Sequence, residues 1–182
     1  MDVKWNTLVE LMDESNTPFF NDVLAYLDTK NISTVGSTYG CVDLSKVVGT
    51  THSNYCEKTW GELKPVVGTS RGDIINDTNV VYQNLKRAVG NVKDLERNPD
   101  YYFSQEEKDH WSFYEIDGEY YIAEGNNRTV IGRFFLTLNH QTPVVHGVRI
   151  MQATYSTKTV AEQKKKGVVS SVFSWLKNAV IR

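Results

Sequence analysis

Hydrophobic residues fall at helical spacing near the start of the chain, where Val3, Leu8, Leu11 and Met12 share one face of a short helix over 3–14. Thr17-Pro18 then supplies a cap and a first-turn proline, and Phe19, Phe20, Val23, Leu24 and Leu27 form the stripe of a second short helix. The Ser-, Thr- and Gly-rich stretch 33–41 predicts a turn or weak strand, and 41–49 a short β segment that alternates in its first half. Residues 50–72, with Gly61, Gly68, Gly72 and Pro65, hold no stable period and read as a long crossing or an ordered insertion. Val80, Val81, Leu85 and Ala88 predict a helix over about 77–89 that Gly90 ends. Asn98-Pro99-Asp100 marks a turn, and Ser104 with Glu107 has the spacing of a capping box.

The sharpest local signal follows. Trp111–Ile116 and Glu119–Ala123, rich in aromatic and β-branched residues, flank Asp117-Gly118, the pair that a two-residue hairpin favours. The second strand runs into Glu124-Gly-Asn-Asn-Arg128, after which Thr129, Val130, Phe134, Phe135 and Leu138 supply a helical stripe. Pro143 follows a turn, and 144–153 predicts another strand. Residues 158–180 mix Lys164-Lys165-Lys166 with Val168, Val169, Val172, Phe173, Trp175, Leu176 and Val180, as in an amphipathic helix broken at Gly167. The whole reads as one α+β domain over 1–182, without internal repeats.

Composition narrows the function classes. The 182 residues suffice for a single core, and 40% hydrophobic with 23% charged residues describes a folded chain. Twenty basic against 22 acidic side chains leave a net charge of −2, which argues against a protein that wraps DNA with its whole surface but allows a local basic patch. Cys41 and Cys56 make no C-x-x-C pair and read as unrelated reduced thiols. The start lacks a signal-peptide pattern and no run of 18 apolar residues occurs, so a cytoplasmic location without a membrane span is expected. His52, His110, His140 and His146 share no metal-binding spacing; His140 or His146 could approach a site from the following loop, but turn or core positions account for them as well.

Chemistry concentrates at Gly125. A strand-to-helix junction leaves the first helical N–H groups unpaired and the helix dipole favours an anion there. Gly125 permits close backbone approach, Asn126 and Asn127 offer amide donors, and Arg128 offers a forked cation suited to phosphate. Glu124 could coordinate Mg²⁺, accept from a ribose hydroxyl or pair with Arg128. A plain helix start, capped by Asn126 or Asn127 with Arg128 on the surface, explains the same residues; an exposed Arg128 could then be removed almost without cost in stability. Neither a Walker loop nor a G-x-G-x-x-G fingerprint is present. Thr69, Ser70 and Arg71 between Gly68 and Gly72 are a second candidate anion loop, or a solvated surface loop; Arg71 is the second expected phosphate contact, and Asp73 or Asp77 an additional metal carboxylate.

Three phrases, Val42–Val48, Tyr120–Gly132 and Pro143–Ile150, together resemble the ParB/sulfiredoxin-like superfamily, in which an early strand, a helix and a hairpin precede a G-x-x-R box, a helix and a closing strand. The resemblance covers about 41–155 and implies a mixed sheet with a strand–GxxR–helix phosphate site. Residues 1–32 are then an N-terminal helical elaboration and 156–182 a C-terminal helical segment. Gly125 and Arg128 match the family's phosphate-contacting glycine and last arginine, and Asn127 stands at its histidine or first arginine. Asn126 stands where sulfiredoxins carry their catalytic cysteine, so sulfiredoxin chemistry is not expected.

The resemblance thus implies a nucleotide- or phosphate-binding protein, with ATP or another nucleoside triphosphate and Mg²⁺ as cofactors and Gly125, Asn126, Asn127, Arg128, Thr129 and Arg71 as contacts. Phosphohydrolase (ATPase) or DNA-nuclease activity would place Glu124, Asn127 and Arg128 at the reacting centre, with Glu124 on the metal. The small plasmid- and phage-borne relatives suggest a part in DNA transfer or defence, with DNA as a further partner. The competing expectation is a catalytically inactive module that binds a protein partner through the apolar and basic C-terminal segment, where Lys164–Lys166 are otherwise a solvated run.

Overall fold

A computed structural model describes residues 13–64, 91, 94, 95 and 97–156. The helices expected over 3–14 (all but its last two residues), 77–89 and 158–180, with Arg71, Asp73, Asp77 and Lys164–Lys166, lie outside the described residues. Within them the protein is a mixed α+β fold built on one six-stranded sheet. In chain order its elements are β1 (Ala25–Tyr26), β2 (Ile32–Asp43), β3 (Val47–Thr50), α1 (Trp60–Leu63), β4 (Ser112–Ile116), β5 (Glu119–Glu124), α2 (Asn126–Leu138) and β6 (Val144–Tyr155). Across the sheet they run β1-β3-β5-β4-β6-β2. The pairs β1–β3, β3–β5 and β4–β6 are parallel, whereas β4–β5 and β2–β6 are antiparallel.

The hairpin β4–β5 forms as its turn residues require. Asp117 and Gly118 both take positive φ, 53° and 84°, so the two-residue turn has the twist that matches its strands. Helix α2 packs across one sheet face, where Val130, Ile131, Phe134 and Phe135 meet Phe113, Ile122, Val148 and Ile150 in the main core. Because the segments 13–24 and 99–103 cover its other side, α2 is buried almost all round: Phe19 lies 5.1 Å from Phe134 and Tyr102 lies 5.7 Å from Phe135, ring centre to ring centre. No helix among the described residues is long and apolar enough to cross a membrane.

Three local expectations need correction, and one open alternative is decided. The second short helix does not form: 14–21 is a series of turns and β1 occupies 25–26. Its carbonyls are drawn into tertiary hydrogen bonds, with Gly61 N donating to Phe20 O, Trp60 N to Asp22 O and Glu57 N to Leu24 O. Those partners use the acceptors that a helix would need. Of the turn or weak strand expected over 33–41 it is the strand that forms, as the body of β2, a 12-residue strand paired along its length with β6. The β segment expected over 41–49 is interrupted, because Asp43 accepts from Ser45 N at 2.9 Å and Ser45 Oγ at 2.6 Å and caps a 3₁₀ turn over Leu44–Lys46.

Finally, no helix starts at Ser104. The carbonyls of Ser104, Glu106 and His146 all accept from the buried Lys108 ammonium, at 2.8–3.1 Å. The real capping box is Thr59 with Glu62, where Thr59 N donates to Glu62 Oε2 and Glu62 N to Thr59 Oγ1.

Candidate functional site

Strand β5 ends at Glu124, and the chain turns at Gly125 (φ 87°, ψ 27°) directly into the 13-residue α2. Two constraints select glycine here. The left-handed φ disfavours a side chain, and a Cβ would stand 2.6 Å from Cδ1 of Trp111. The Trp111 indole is the hub of this junction. Its Nε1 donates to Thr129 Oγ1 at 2.8 Å, and Thr129 Oγ1 donates to the Gly125 carbonyl at 3.0 Å. Thr129 is fully buried and its hydroxyl is used in both directions, so the structure keeps this expected ligand contact away from solvent.

Arg128 is not the exposed surface side chain of a plain helix start. Its Nη1 donates to Tyr101 Oη and to the Asp109 carbonyl, each at 2.9 Å, and its Nη2 donates to the His110 carbonyl. The guanidinium also lies 5.4 Å from the Trp111 ring centre. These contacts tie the connection before β4 to the first turn of α2. They use three of the five guanidinium N–H groups. His110, whose carbonyl Arg128 holds, adopts φ 56°, an unusual conformation for a residue with a Cβ.

The helix start opens into a cleft of about 620 Å³. Glu124, Gly125, Asn126, Asn127 and Arg128 line one side, and His52, Tyr55 and His110 contribute imidazole and phenol groups elsewhere on its wall. Asn126 is mostly buried, and its Oδ1 accepts from Thr50 Oγ1 at 2.8 Å, which leaves the NH₂ end of this amide to meet a ligand. Glu124 is exposed at the end of β5. The strand-to-helix expectation therefore brings five consecutive residues, 124–128, to one cleft.

Comparison with known proteins adds no family. No family model, curated protein or solved structure matches this chain.

The sequence does not single out His52, Tyr55 or His110 for this site, since the spacing of the two histidines matches no metal-binding pattern. His52 and Tyr55 lie some seventy positions before the box and join it only because β3 pairs with β5 in parallel register, Thr50 opposite Ile122. His140 and His146 do not line the cleft: His140 follows the end of α2 at φ 55°, and the His146 carbonyl accepts from Lys108. Among the described residues no three His, Cys, Asp or Glu side chains are grouped to hold a metal ion. Glu124 is the single carboxylate on the cleft wall among them, so a Mg²⁺ ion there would need phosphate oxygens of a ligand beside it. Cys41 and Cys56 are free thiols, as expected.

Proposed function

We propose that the cleft at the start of α2 binds the phosphate groups of a nucleotide, and that the chain is a divergent member of the ParB/sulfiredoxin-like superfamily. The observation that carries this reading is the convergence of the α2 N-terminus, the Gly125 turn and the Arg128 guanidinium on one cleft of nucleotide size. The order of strand, box, helix, Pro143 and closing strand supports the superfamily reading. In this reading the first α2 N–H groups and the remaining N–H groups of Arg128 meet phosphate oxygens, and Asn126 and Asn127 line the approach.

If the bound nucleotide is hydrolysed, Glu124 is the group placed to take a proton from the attacking water, which leaves nucleoside diphosphate and phosphate. Calorimetric titration with ATP, CTP and their non-hydrolysable analogues, with and without Mg²⁺, tests the binding. Absence of heat at millimolar nucleotide defeats the proposal, and phosphate release that survives Glu124→Gln removes Glu124 from it.

A second reading, a protein-interaction module, is favoured by β2. Among the described residues this 12-residue strand lies at the sheet edge; it contains no Lys, Arg or Pro, and exposes Val35 and Tyr39. Such an edge offers unpaired backbone groups to an added strand. Val35→Lys should abolish recovery of a specific partner in this reading and leave nucleotide binding intact; equal recovery rules it out. The alternative docking segment, 158–182, lies outside the described residues.

A further inference from the structure

We infer that His52, backed by Tyr55, is the shelf on which the base of the bound nucleotide stacks. The inference rests on the nucleotide reading and adds the position of the base and the residue that holds it.

The loop after β3 builds this shelf from its own sequence. Thr50 Oγ1 accepts from His52 N at 3.1 Å and donates to Asn126 Oδ1 at 2.8 Å, so one hydroxyl joins the start of the loop to the first residue of α2. The shelf and the anion-binding end of the helix are thereby held in one framework. The His52 carbonyl accepts from the N–H groups of both Tyr55 and Cys56, at 3.0 and 3.1 Å, which closes the turn.

Asn54 N donates to His52 Nδ1 at 3.2 Å. This bond fixes the ring's rotation and, in the neutral imidazole, leaves the proton on Nε2. The ring lies over Tyr55 with centres 4.4 Å apart and planes tilted by 33°. Tyr55 is only 6% exposed and is anchored in the main core, whereas His52 is exposed on the cleft wall. A rigid phenol therefore packs against a pinned, exposed imidazole, and both residues line the cleft.

Stacking is sequence-tolerant, because every base presents a π face. The shelf thus predicts similar affinities for ATP and CTP, with the triphosphate setting the anchor. An aromatic–base stack contributes the equivalent of roughly 5- to 150-fold in affinity, and the small imidazole belongs near the lower end, about 5- to 30-fold.

The test is calorimetric titration of the full chain with ATP, CTP and inorganic tripolyphosphate, which has the charge but no base. His52→Ala should weaken both nucleotides about 5- to 30-fold and leave tripolyphosphate unchanged. His52→Phe, which restores a ring, should recover nucleotide affinity, and thermal unfolding of each variant confirms that the chain is folded. Equal weakening of nucleotide and tripolyphosphate, or no weakening of either, overturns the shelf while the nucleotide reading stands. Wild-type protein that binds neither ATP nor tripolyphosphate overturns both.

Discussion

Replacing Arg128 with alanine separates its role in the fold from its role at a ligand, and the two have different magnitudes. The side chain donates to Tyr101 Oη, Asp109 O and His110 O and lies over Trp111. A hydrogen bond from a charged group contributes about 1.5–3 kcal/mol net, but the two carbonyl partners are exposed and water replaces much of what they lose. Counting the half-buried Tyr101 bond near 1.5, the two exposed bonds near 0.5 each and the ring contact near 0.5 gives about 3 kcal/mol. For a chain of this length that lowers the unfolding midpoint by about 6–12 °C. Arg128→Lys keeps the charge but loses the fork, and should cost about half as much. Urea unfolding followed by tryptophan fluorescence measures both. If Arg128→Ala unfolds within about 0.5 kcal/mol of the wild type, the three contacts do no structural work and the argument for Arg128 as a pin is wrong. Ligand titration well below the variant's midpoint then reads the second role. A lost charge-assisted phosphate contact appears as a roughly 10- to 150-fold weaker affinity, and unchanged affinity in folded Arg128→Ala removes it as the anchor.

Three further outcomes follow from the same structure. Gly125→Ala combines a left-handed φ with a Cβ 2.6 Å from Trp111, so it should cost about 2–4 kcal/mol, whereas Gly118→Ala, with open space around its Cβ, should cost about 1; equal costs in chemical unfolding would refute the Trp111 contact. Arg133 is buried between Phe19 and Trp60, 4.1 and 4.2 Å from their ring centres, its Nε and Nη1 have no hydrogen-bond partner among the described residues, and burial pushes its pKa down to about 10. Arg133→Met should therefore fall within about 1 kcal/mol of wild type while Arg133→Ala loses about 2–4, and equal losses would show that the charge itself is needed. Burial raises the Tyr102 phenol well above its usual range, so below pH 10 both states keep the proton, and above it the unfolded chain ionises while the folded chain resists. Stability should fall as pH rises past 10, less steeply in Tyr102→Phe, and parallel pH profiles of the unfolding midpoint for the two proteins would exclude Tyr102 as a cause.

What the sequence makes legible is local. Asp117-Gly118 dictates its hairpin through backbone conformation alone, and Gly125 followed by an apolar stripe dictates a strand-to-helix junction. Both kinds of information lie within a few residues of where they act. The segment 17–27 carries an equally good helical stripe, yet its carbonyls go to Glu57, Trp60 and Gly61, partners some thirty to forty positions away. Strand β2 reads as either a turn or a weak strand for a related reason: its Ser, Thr and Gly residues bury little, and its pairing with β6 supplies the order that its own pattern lacks. The same limit applies to the site. Residues 124–128 arrive together because they are consecutive, whereas His52 and Tyr55 arrive through the β3–β5 register, which no local pattern states.

The box residues differ in what the fold already demands of them, and that difference decides which substitutions are informative. Gly125 makes room for Trp111, Thr129 accepts from it, and Arg128 holds the connection that leads into it. A junction with no ligand at all would still select these three, so their loss disturbs fold and site together. Glu124 and His52 are exposed on the cleft wall, and the main core is built without either of them. A functional role therefore shows most cleanly at these two positions. Glu124→Gln should leave the unfolding free energy within about 0.5 kcal/mol of wild type, and His52→Ala, which loses the Asn54 bond and the Tyr55 contact, within about 1, while changing phosphate release and base-dependent affinity respectively. If both variants match wild type in every ligand measurement, the cleft is a by-product of packing around Trp111, and the exposed edge of β2 becomes the better place to look for a partner.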